Sequence, residues 1–219
     1  MKAVVFDMDG VLFDTERIYI ESWRETAKEK GIEDMEPLII ECIGLNRTDT
    51  IRTFQEHYGT DFDFEDFRAG YTEKIQSILK KEGLPVKPGV RELLKYLREH
   101  HAKVAVASST RTEKVLQYLE ETKLLEYFPV VIGGDKILHS KPQPDIYLLA
   151  CEKLQADPAE SFAIEDSLNG IRSAYDAGMK VIMVPDMVAP VPEAVEKTTA
   201  IKESLTAVKN WFEESKAFS

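Results

Sequence analysis

Cysteine is scarce in this chain, and the two that occur, Cys42 and Cys151, form neither a CxxC pair nor a Cys/His ligand pattern. That spacing argues against a thiolate metal centre or a redox dithiol, and both residues read as ordinary buried thiols. Long apolar runs are also missing, so no segment has the length of a membrane span. The opening run Ala3 to Phe6 turns acidic at Asp7 and Asp9 before a signal-peptide core can form, and the expected setting is the reducing cytoplasm. Positive charge is in deficit: 28 Lys and Arg stand against 39 Asp and Glu, a formal charge of -11. Such a surface repels a phosphate backbone, which argues against nucleic acid as a partner. A small phosphate ester remains compatible, because a metal ion and a few placed cations invert the local field within an acidic protein.

What is present is an ordinary globular composition, 43% hydrophobic and 31% charged over 219 residues. That length suits one medium domain, or a core carrying a smaller insertion, as a monomer or small homo-oligomer. Short Val- and Ile-rich runs predict strands at Ala3 to Phe6, Lys103 to Ala107, Pro129 to Ile132, Phe162 to Ile164 and Val181 to Val184. Helical patterns lie between them at Val90 to His100, Thr112 to Thr122, Asp145 to Leu154 and Leu168 to Ala177. Apolar strands alternating with helices predict an α/β fold, a doubly wound parallel sheet. Thr110 with Glu113 fits a capping box, and Asp157, Pro158 and Glu160 fit a cap, first-turn proline and third-position acid.

The segment 15–83 carries helical periodicity and no strand signal. Three helices are expected to end at Gly31, Gly59 and Gly83, where glycine relieves the left-handed backbone past a helix terminus. The return Leu84-Pro85-Val86-Lys87-Pro88-Gly89 reads as a linker. The expected organisation is therefore a Rossmann-like core of residues 1–14 and 84–219, with an all-helical cap inserted at 15–83.

Polar residues then fall in a pattern. Asp7 and Asp9 follow the first strand, Ser108 the second, Lys141 the loop after the third, and Glu165 and Asp166 the fourth. Ligands bind at the carboxyl ends of parallel strands, so these residues are expected to converge at one edge. Each has an ordinary alternative: Asp7 and Asp9 as a turn closed by Gly10, Ser108 as a strand end, Lys141 as a solvated charge, Glu165 and Asp166 as a helix cap. Four coincidences are needed if all of those alternatives hold. Two carboxylates after a buried strand call for a cation, and hard oxygen donors suit Mg²⁺. The chemistry predicts a phosphoryl transfer in which Asp7 attacks phosphorus and Asp9 serves as acid and then base. Asp166 and Glu165, with Asp7 and the carbonyl of Asp9, are the expected metal ligands. Lys141 neutralises charge, and Ser108 donates to the phosphoryl oxygens.

Asp7-Met8-Asp9-Gly10-Val11-Leu12-Phe13-Asp14-Thr15-Glu16 resembles the first motif of the haloacid dehalogenase superfamily. Val104 to Ser109 resembles its second motif, with Ser109 a substrate contact, Ser140 to Asp145 its third, and Ile164 to Gly170 its fourth. The resemblance implies a Rossmann-like core with a helical cap, and a subgroup that holds β-phosphoglucomutase and small sugar-phosphate phosphatases. The mutase carries a histidine where this chain has Tyr19 and a lysine where it has Ile43, whereas Arg47 matches a phosphate-contacting arginine that would face the catalytic edge. Loss of two of those three groups favours hydrolysis of a small phosphate monoester over the mutase reaction. Outside enzymology, a phosphate-sensing protein on an inactive scaffold has no need for both Asp7 and Asp9.

Overall fold

The structure is a computed structural model that describes residues 2–42, 45 and 47–218. Its strands are β1 (Ala3–Phe6), β2 (Lys103–Ser108), β3 (Val130–Gly133), β4 (Phe162–Glu165), β5 (Lys180–Met183) and β6 (Ala200–Ile201). The helices are α1 (Thr15–Lys30), α2 (Met35–Cys42), α3 (Arg47–Tyr58), α4 (Phe64–Glu82), α5 (Val90–Glu99), α6 (Thr112–Glu121), α7 (Asp145–Leu154), α8 (Leu168–Asp176), α9 (Pro192–Lys197) and α10 (Leu205–Glu214). The chain divides into two compact units, Met1–Phe13 with Val86–Ser219, and Asp14–Pro85.

In the first unit all six strands run parallel in the order β3-β2-β1-β4-β5-β6. The expected doubly wound α/β sheet is thus present. From β1 the sheet grows towards β2 and β3, and from β4 towards β5 and β6, so the winding reverses between β1 and β4. That reversal opens a crevice at the carboxyl ends of those two strands. The strands read as unbroken apolar runs because both faces are covered. On one face Ala3, Val5, Ala105, Ala107, Ala163 and Val181 pack with Tyr147, Ala150, Cys151 and Leu154 of α7 and with Ile171 and Ala174 of α8. The short alanines let α7 approach the sheet closely. On β4, Phe162 meets the rings of Trp211 and Phe212 of α10 at 6.0 and 5.0 Å. α10 therefore covers the sheet through Phe212, which is fully buried.

The second unit is helical. Its core gathers Ile18, Leu38, Ile39, Phe54, Phe64, Phe67, Tyr71 and Ile75. Trp23 sits 5.3 Å from Phe54 and 5.9 Å from Phe67, both in edge-on geometry. Burying a side chain of the size of Phe54 contributes roughly 1.5–3 kcal/mol. Gly31, Gly59 and Gly83 lie at φ 64, 96 and 77°, just past the ends of α1, α3 and α4.

Several local expectations are corrected. Among the described residues of this unit there are four helices, not three, since residues 32–59 hold both α2 and α3; eight residues of α2 are too few to stand out from a longer periodic pattern. β6 was not expected, because two residues carry no periodicity. The capping box at Thr110 is absent: Arg111 is the N-cap of α6 and makes no side-chain cap bond. Instead the Thr112 amide donates to Asp135 Oδ1 at 2.6 Å. Asp157 does cap, accepting from the Ala159 amide at 3.0 Å, but the element is a single 3-10 turn, Pro158–Glu160.

Both cysteines are buried. Burial first, with nearby Glu41, pushes the Cys42 thiol up to about 12, and burial with Asp157 pushes Cys151 up to about 11. Thiolate is the reactive form, so the native protein should leave both thiols unlabelled by a disulfide reagent at pH 8 and expose both in denaturant. Rapid labelling of either thiol in the folded protein would contradict this packing.

Candidate active site

The end of β1 sets the geometry. Its last residues are wholly buried, and the Asp7 amide donates to the Ile164 carbonyl of β4 at 3.0 Å. That bond carries Asp7 into the crevice beside the end of β4, with 7% of the residue exposed. Gly10 follows at φ 75°, and a Cβ there would lie 2.1 Å from Asp166 Oδ2. Only glycine both adopts this backbone without strain and leaves room for the Asp166 carboxylate.

Lys141 reaches the same point from the loop after β3, its side chain 6% exposed. Nζ donates to Asp7 Oδ1 at 2.5 Å, Glu165 Oε1 at 2.6 Å and the Ala107 carbonyl at 3.1 Å. Glu165 is fully buried. Its Oε1 also accepts from the Tyr147 hydroxyl at 2.6 Å. Its Oε2 accepts from the Asp166 and Ser167 amides and the Ser167 hydroxyl at 3.2, 3.4 and 3.2 Å. Both Glu165 oxygens are therefore engaged in fixing Lys141 and the turn after β4. Gly170 is needed here as well, since a Cβ would fall 1.8 Å from Glu165 Oε1. Ser167, not the acidic pair, caps α8, accepting from the Gly170 amide at 3.1 Å.

The electrostatics follow from one ammonium serving two carboxylates. Burial works against the charge on Lys141, but Asp7 and Glu165 outweigh it and hold the amine above its ordinary range. Asp7 is held well above the usual carboxylate range, because burial and the negative charge of Glu165 and Asp9 overcome the help from Lys141. The Tyr147 phenol is likewise raised, by burial and by Glu165, so it remains a proton donor.

Around this centre stand the β2 residues. Ser108 is fully buried, and its Oγ accepts from the Thr110 amide at 3.0 Å, which leaves the hydroxyl hydrogen for donation. Ser109 is exposed on the same turn. Thr110 Oγ1 donates to Asp9 Oδ2 at 3.1 Å and so fixes the second acid. This turn approaches the end of β3 so closely that a Cβ on Gly133 or Gly134 would lie 2.2 Å from the Thr112 nitrogen or 2.5 Å from the Ser109 carbonyl oxygen. Sequence reasoning missed Thr110, Tyr147, Gly133 and Gly134; the paired glycines after a strand were the available signal.

Arg47 belongs to the helical unit, at the start of α3, where it is exposed and paired with Glu65. Tyr19, also in that unit, is 39% exposed. Ile43 lies outside the described residues.

Asp7, Glu165 and Asp166 offer carboxylate oxygens that all lie within 4.8 Å of one another. A hard divalent cation fits this donor set: the donors are carboxylate oxygens gathered close together, and burial with the negative charge of Glu165 and Asp9 holds Asp7 above its ordinary range despite Lys141. Among the described residues no helix is long and apolar enough to cross a membrane.

A parallel sheet with buried acids and a lysine at its switch point has the form of an enzyme site. A sequence model described as haloacid dehalogenase-like hydrolase matches residues 4–184, and the chain belongs to that family as an enzyme of the phosphatase type. It is 35% identical over 182 residues to the phosphorylated carbohydrates phosphatase of Thermotoga maritima, covering 83% of this chain and 84% of the relative. The β-phosphoglucomutase of Bacillus subtilis is 28% identical over 84% of this chain and 83% of its own. The crystal structure of CbbY from Rhodobacter sphaeroides in complex with phosphate superposes with a TM-score of 0.76 at 26% identity, covering 95% of this chain and 96% of that one.

Proposed function

We propose that the protein hydrolyses a small phosphate monoester, a sugar phosphate, through a phosphoester formed transiently on Asp7. The observation that carries this reading is the buried contact of Asp7 with Lys141 beside Glu165 at the strand switch point. It presents one carboxylate oxygen to a cation and keeps the group rigid, while the second oxygen of Asp7 is left to attack.

The divalent cation, Mg²⁺, would be held by Asp7, Asp166 and the Asp9 carbonyl, with Glu165 acting through Lys141 and the Asp166 turn. When bound it supplies charge neutralisation between two anions that otherwise repel. Asp7 forms a bond to phosphorus as the bond to the leaving oxygen breaks, and Asp9 delivers its proton to that oxygen. In the second half Asp9 takes a proton from water, the water oxygen bonds to phosphorus, and the bond to Asp7 breaks to restore the carboxylate. Thr110 keeps the Asp9 carboxyl oriented in both halves. Ser108 donates to the phosphoryl oxygens, Lys141 offsets their charge, and Ser109 lines the same turn. The likeness to a carbohydrate-phosphate phosphatase and the absence of a histidine at position 19 and a lysine at position 43 support hydrolysis over phosphoryl return to sugar.

The test is phosphate release from a panel of sugar phosphates, nucleotides and p-nitrophenyl phosphate, with Mg²⁺ or with EDTA. Metal-dependent release that ranks sugar phosphates first is expected. Conversion of β-glucose 1-phosphate to the 6-phosphate without net release would replace hydrolysis by the mutase reaction, and no turnover of any ester would remove the assignment.

A further inference from the structure

Just past β5, outside the four motifs, stands Asp186. Its Oδ1 accepts from Lys87 Nζ at 2.5 Å, and its side chain is only 10% exposed. Its Oδ2 is buried and has no hydrogen-bond partner among the described residues. An unmatched carboxylate oxygen in that position costs free energy unless a donor reaches it. The oxygen points at the site: a Cβ on Gly10 would lie 2.1 Å from Asp166 Oδ2 and 3.3 Å from Asp186 Oδ2, so both carboxylates border the gap left by one glycine. Asp186 is nevertheless outside the set of carboxylates whose oxygens are close enough to share an ion. A group this near, and not near enough to ligate with the others, is placed to meet the ion through water. Mg²⁺ dehydrates reluctantly and keeps several waters, whose hydrogens need acceptors.

We propose that Asp186 is a positioning residue of the metal site, accepting a hydrogen bond at Oδ2 from a water bound to the cation, while Lys87 fixes the orientation of its carboxylate. This rests on the metal reading above. A simple counter-ion role for Asp186 accounts for Oδ1 and leaves Oδ2 unexplained.

The experiment is Mn²⁺ binding followed by electron paramagnetic resonance of free Mn²⁺, without substrate, on wild type, Asp186→Asn and the double variant Lys87→Met with Asp186→Leu. In Asp186→Asn the amide oxygen must face Lys87, which turns an N–H donor towards the water. Affinity is then expected to fall about tenfold or more, with the metal-free melting temperature monitoring the fold. The double variant removes the Lys87 charge together with its partner, so it keeps the comparison intact if the single variant folds poorly, and it should bind just as weakly. Wild-type affinity in a folded Asp186→Asn, or in the double variant, would overturn the proposal. Failure of the wild type itself to bind Mn²⁺ would overturn the metal reading and this proposal together.

Discussion

Asp7→Asn is expected to reduce turnover on the order of 10⁶-fold, the scale on which loss of an attacking group is felt in nucleophilic enzymes. An amide of the same shape keeps the place in the crevice but has no anionic oxygen to bond to phosphorus. Stability should move the other way. The Asp7 carboxylate is held above its ordinary range by burial and by the negative charge of Glu165 and Asp9, so its charge opposes folding at neutral pH. Lys141 still has Glu165 at 2.6 Å when that charge is removed. The metal-free variant should therefore melt at or above the wild-type temperature at pH 7. A raised acid costs stability as pH rises above its unfolded value, about 4, so the gap should narrow as pH falls towards that value. Thermal melts in EDTA across pH, with phosphate release on the same samples, test both halves. A variant turning over at a sizeable fraction of the wild-type rate would take Asp7 out of the attack.

Lys141→Met has the opposite signature, losing activity and stability together. The ammonium is the cation seen at Asp7 Oδ1 and Glu165 Oε1, with its side chain 6% exposed. Breaking a buried pair from one side costs about 3–5 kcal/mol, because the remaining charge stays desolvated. Asp7, already held above the carboxylate range by burial, loses the ammonium that partly offsets that burial, so its folded-state pKa rises further in the variant. The penalty is then absent below about pH 4, where the unfolded acids are also protonated, and grows as pH rises through neutrality. Denaturant titrations at pH 5 and pH 8 should show the larger loss at pH 8. Turnover should drop about 10²–10³-fold, as for removal of one electrostatic donor from a transition state. Equal stability loss at both pH values would mean that Lys141 contributes packing and not charge.

Much of this was readable from the residues. β1 to β5 are apolar on both faces, so each stands out as a run bounded by turns, and their polar ends mark the crevice directly. Asp7, Glu165 and Lys141 were legible because charges at strand ends are unusual enough to notice. Thr110 was misread because its sequence context, a Thr followed by Glu113, satisfies a local capping rule, whereas its hydroxyl is used across a hundred residues by Asp9. Tyr147 looked like an apolar position of α7, and only the packing reveals that its hydroxyl ends at Glu165. Asp186 and Lys87 are separated by most of the core's length in sequence and belong to loops without a pattern. β6 and the split between α2 and α3 are too short for periodicity to resolve.

The sheet order also governs how this chain is made. β1 is flanked by β2 and by β4, so Val4 finds its partners only at Val104 and Phe162. A ribosome releases β1 first and must complete some hundred and sixty residues before both its edges are paired. The helical unit, by contrast, is contiguous and has its own aromatic core. It can fold while the first strand still waits, a bare apolar edge open to strand pairing between chains. The order of the strands in the sheet therefore makes the pairing of β1 a long-range event that closes only when β4 is in place.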